Sequence, residues 1–111
     1  MLCVLIVVGG CTRSSRDVMF DVDRVRTAAK AALDRGEVGI ARTHAQALAH
    51  LLTSSVLKQV RPEPDYARML ADAQSHVHRL AEAKTVAGAR AAFTDLDKSC
   101  QRCHDVYQFK K

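Results

Sequence analysis

The sequence has no tryptophan, only two prolines and five glycines, and aromatic residues make up just 5% of its 111 positions. Both prolines fall in one stretch, Arg61-Pro-Glu-Pro-Asp65, so long segments elsewhere carry no helix breaker. No segment alternates apolar and polar residues in the manner of a half-buried strand. No apolar run is long enough to cross a bilayer, which takes about 20 residues. Basic residues exceed acidic ones by five, 17 against 12, but they are spread among the acids with no long basic run. Solvated helix faces account for them, and nucleic acid is not an expected partner. No carboxylate pair, catalytic triad or phosphate-binding loop stands out, so an enzyme is not expected.

What is present favours helices. Hydrophobic residues make up 48% and charged residues 26%, a globular balance rich in alanine and leucine. Four helical segments are expected. The first runs from Asp17 to Arg35, capped by Ser14 or Ser15 and stopped at Gly36, with Val18, Val22, Val25, Ala29 and Leu33 at helical spacing. The second runs from Glu37 to Val60 with Ala41, Ala45, Leu48, Leu51, Leu52 and Val56 on its apolar stripe. The third runs from Asp65 to Ala83, where Tyr66, Met69, Leu70, Ala73, Val77, Leu80 and Ala81 share a face. The fourth runs from an N-cap at Thr85 to Phe109. Short connections make neighbouring helices antiparallel, so the expected fold is all-α, an up-down-up-down antiparallel four-helix bundle.

The N-terminus reads as an export signal. Residues 1–10, MLCVLIVVGG, resemble the end of a signal-peptide core, and Val8-Gly9-Gly10-Cys11 is similar to a bacterial lipobox. Three parts are expected: a lipoprotein-type signal at 1–10, a short tether at 11–16 and a helical domain at 17–111. Cys11 is the candidate lipidation site and the membrane contact. The expected location is periplasmic, anchored as a lipoprotein. Cys3 would leave with the signal, and Cys100 and Cys103 remain as one close pair, which is not a disulfide framework.

That pair lies in Ser-Cys-Gln-Arg-Cys-His-Asp, residues 99–105, a C-x-x-C-H pattern. On a helix, Ala89, Phe93, Leu96, Cys100, Cys103, His104 and Tyr107 fall on one arc that must face the core. Two thiols so spaced suit thioether attachment of a haem, with the His104 imidazole as its iron ligand. A redox dithiol wants a βαβ setting, and a zinc site wants a fourth ligand. Those alternatives, and coincidence, stay open on the pattern alone.

With the motif near the end of an all-helical chain, the sequence resembles a class II cytochrome c, the cytochrome c-prime group. The resemblance is carried by FTDLDKSCQRCHDVYQ at 93–108 and, more loosely, by GEVGIARTHAQALAHLL at 36–52. It implies one covalent haem c held in the bundle core, with thioethers at Cys100 and Cys103 and His104 as proximal ligand. In low-spin members a methionine near the start of the first helix binds the iron, which makes Met19 the candidate distal ligand. Met69 and His44 are the lesser candidates, and His50, His76 and His78 read as surface residues. Tyr107 fits the aromatic that follows the family motif, while Gln108 stands where gas-binding members carry a basic residue. The function implied is electron transfer, with Lys98, Arg102, Lys110 and Lys111 steering an acidic redox partner. A five-coordinate protein binding NO or CO is the alternative, and a haem-free helical lipoprotein that binds a partner protein the second. The resemblance also implies a homodimer through the first two helices.

Overall fold

The structure, a computed structural model, describes residues 14–107. Every element in it is a helix: α1 (Ser15–Asp34), α2 (Val38–Leu52), α3 (Ser55–Lys58), α4 (Pro64–Ala81) and α5 (Val86–Val106). The expected signal, Cys11, Gln108 and the two terminal lysines lie outside the described residues.

Helix α1 starts at a capping box. The Asp17 amide donates to Ser14 Oγ at 3.1 Å, and the Ser14 amide donates back to Asp17 Oδ2 at 3.5 Å. It ends on Gly36, whose φ of 74° only glycine adopts freely. There the Glu37 amide donates to the Ala32 carbonyl at 2.8 Å and the Gly36 amide to that of Leu33 at 3.0 Å, a Schellman ending. Pro64 opens α4 with Asp65 in its first turn, and Thr85 caps α5 by accepting from the Gly88 amide at 3.0 Å.

The expected second segment is two helices rather than one. The Thr53 hydroxyl donates to the carbonyls of Ala49 and His50, and the next residue, Ser54, accepts the Val56 amide at 3.1 Å. These local bonds replace helical ones and end α2. The break shifts the helical phase. Leu57 becomes fully buried and Val56, expected on the stripe, is only half-buried.

Side-chain bonds fix how the helices run. Arg42 on α2 donates to the Ala83 carbonyl just past α4, and Gln74 on α4 donates to the Leu52 carbonyl at the end of α2. Arg79 pairs with Asp95 at 2.9 Å, and Arg102 with Asp72 at 3.7 Å, across α4 and α5. Each set is antiparallel. The pairs α1–α2, α2–α4 and α4–α5 pack extensively, whereas α1 and α5 touch little. The core they enclose is built on Leu48, Leu57, Tyr66, Val77, Leu80 and Leu96, all at most 2% exposed.

Candidate haem cleft

At the end of the molecule where α1 begins and α5 finishes, the helices leave an apolar cleft. Its motif wall is the last turns of α5, with Cys100, Cys103 and His104. Met19 and Val22 of α1 face it, Met69, Leu70 and Ala73 come from α4, and Leu52, Leu57 and Tyr66 line the rest. Counted with its open mouth, the cleft measures about 380 Å³.

The C-x-x-C-H stretch sits on α5 because the helix runs unbroken from Thr85 to Tyr107, whose amide still donates to the Cys103 carbonyl at 2.7 Å. The expected core arc holds for Ala89, Phe93, Leu96 and Tyr107, which are buried. It slackens towards the C-terminus: Cys100 and Cys103 are half-buried, and His104 is exposed by area while still lining the cleft. Both thiols are free. Burial pushes Cys100 up to about 11, with Asp97 adding to it, and burial also raises Cys103. Both therefore remain protonated at neutral pH, the reverse of an activated redox pair.

Among the described residues, no three His, Cys, Asp or Glu side chains converge where a metal ion could sit. A zinc site draws its ligands to one point, and Cys100, Cys103 and His104 do not converge in that way here. A haem makes a different demand. Its two thioethers attach to the ring edge while the imidazole reaches the iron, so the three groups need to border one apolar slot, as they do here. The residues fit that group.

Of the distal candidates, Met19 is half-buried and in the cleft, and so is Met69, the lesser candidate on α4. His44 is half-buried on α2 but does not line the cleft, nor do His50, His76 or His78. Of the basic residues near the motif, Lys98 and Arg102 are exposed, and Arg102 is partly neutralised by Asp72.

Three features here carry no sequence pattern of their own. Tyr66 donates to the Leu57 carbonyl at 2.5 Å, pinning α3 beneath the cleft. Burial pushes its phenol up to about 12, so the donor proton stays in place. The Tyr66 ring meets Tyr107 edge-on, 5.4 Å between centres, and the Arg61 guanidinium lies 5.5 Å over the Tyr107 ring. This stack packs the end of α5 against the start of α4. Third, Arg26 on α1 reaches Asp97 on α5 at 2.9 Å, beside the motif.

No protein-family model, no curated protein and no solved structure matches the chain. Among the described residues no helix is long and apolar enough to cross a membrane.

Proposed function

We propose that this chain is a class II-like cytochrome: a haem-bound antiparallel four-helix bundle that transfers single electrons. The observation that supports the reading is the cleft itself, lined by Cys100, Cys103 and His104 of α5 and by Met19 of α1. In this reading Cys100 and Cys103 would hold the haem through thioethers, and His104 and Met19 would be the residues that bind its iron. The haem iron, when bound, supplies a one-electron couple, and axial Met raises its potential.

The chain's own residues do the rest. Val22, Leu52, Leu70 and Ala73 present hydrocarbon to the slot and keep water away from it. With His104 and Met19 both holding the iron, little rearrangement would accompany electron exchange. The exposure of the α5 end leaves an edge of the site near solvent, where a partner can approach. An acidic redox protein is the proposed partner, met transiently, with Lys98 and the terminal lysines as the cations left for steering. Export and a lipid anchor on Cys11 complete the proposal, and rest on the Val8–Cys11 pattern.

The test is to produce the chain with a haem-attachment system, stain a denaturing gel for haem and record optical spectra. The parent should stain, Cys100→Ala/Cys103→Ala should not, and the oxidised parent should show a far-red Met–iron band. Met19→Ala should lose that band and turn high-spin, while Met69→Ala keeps it. A parent that stains but is high-spin and shifts with CO would make the protein a gas binder. An unstained parent would dismiss both cytochrome readings in favour of a haem-free lipoprotein.

A further inference from the structure

The α1–α5 seam is joined by two polar contacts that stand one heptad apart on both helices. Arg90 of α5 donates to the Leu33 carbonyl at 2.8 Å, and Arg26 of α1 donates to Asp97 at 2.9 Å. In antiparallel helices, a further heptad on each brings the same faces together again. From Arg26 that step reaches Met19, and from Asp97 it reaches His104. Both residues line the cleft.

Arg26 is built as a clamp. Its Nη2 is held by Asp23 on its own helix at 3.1 Å, while Nη1 crosses to Asp97. The side chain is largely covered, with 27% of it exposed. The backbones of α1 and α5 approach each other at few points, because α1 packs mainly on α2 and α5 mainly on α4. Apolar packing that thin is non-directional and sets axial register poorly. A charged, two-sided hydrogen bond is directional and fixes it, the attested use of such pairs between helices.

We propose that the Arg26–Asp97 clasp is the positioning element of the distal ligand. By locking the register of α1 against α5 one heptad from the site, it holds Met19 level with His104. This deepens the haem reading and rests on it. Neither residue touches the reacting atoms; they act through Met19.

The experiment compares the full, haem-attached parent with Asp97→Asn, with Arg26→Gln, and with the exchange Arg26→Asp/Asp97→Arg. Arg79→Gln, which breaks the α4–α5 pair with Asp95 instead, is the control. The readouts are the far-red Met–iron band and the affinity of the oxidised iron for added imidazole. Each single variant should weaken the band, and imidazole, competing with a looser Met19, should bind about tenfold tighter. The exchange should restore both, and the control should leave both at the parent's values. Arg26→Gln keeps the test decisive should Asp97→Asn not fold. Single variants whose band and imidazole affinity equal the parent's overturn the clasp while the haem reading stands. A parent that stains for haem but lacks the band removes Met19 as ligand and the clasp with it, and an unstained parent removes all three.

Discussion

Met19 and Met69 reach the same cleft from different helices. Met69 comes from α4, which packs closely along α5 and is tied to it by Arg79–Asp95 and Arg102–Asp72. Met19 comes from α1, whose packing on α5 is much thinner. Tyr66 matters at this scale for a different reason, because one side chain serves two neighbours. Its hydroxyl holds the Leu57 carbonyl and its ring steadies Tyr107, the residue that ends α5. Tyr66→Phe keeps the ring and loses the bond. Denaturant unfolding should show a loss of about 1 kcal/mol, since the Leu57 carbonyl keeps a backbone donor from Val60. A loss near zero would mean that α3 is held by Leu57 packing alone.

At the scale of elements, the helix endings were legible and one helix interior was not. Ser14, Gly36, Pro64 and Thr85 announce boundaries through chemistry local to the chain, and the structure uses each of them. Thr53-Ser54 announces one too, but apolar residues continue at nearly helical spacing beyond it. Only the register of α4 against it, through Gln74 on the Leu52 carbonyl and Tyr66 on Leu57, shows which phase is buried. The α4–α5 pairing also gives a pH dependence. The hydrogen bond from Arg79 holds the Asp95 carboxyl below the usual carboxylate range. Its contribution is therefore complete above the unfolded-state value and is lost as pH falls through the folded one. Thermal melts should show the parent above Asp95→Asn at neutral pH, with the gap closing in acid. A gap that is constant with pH would assign the difference to packing rather than to charge.

Over the whole molecule, the described chain divides into two ends that do different work. One end is closed by backbone devices: the Gly36 turn, Arg90 on the Leu33 carbonyl and Arg42 on the Ala83 carbonyl. The other holds the cleft, where five helices contribute side chains and only α5 contributes a motif. That asymmetry is why the candidate cysteine–histidine motif could be read from the sequence while the arrangement around it could not. C-x-x-C-H is contiguous, whereas the Tyr66 stack, the Arg26–Asp97 clasp and the presence of Met69 depend on how helices far apart in the chain are staggered. The division also has a measurable consequence. Filling an apolar cleft stabilises the segments that border it, and local opening reports on each segment separately. Amide hydrogen exchange should therefore slow, on haem attachment, in the first half of α1, in α3, and in the last turns of α5 from Cys100 onward. The amides around Leu33, Ala41, Leu80 and Ala89 should exchange alike in the haem-attached parent and in Cys100→Ala/Cys103→Ala. Equal slowing at both ends would mean that the molecule opens as a single unit, and that the cleft end has no separate stability for the haem to supply.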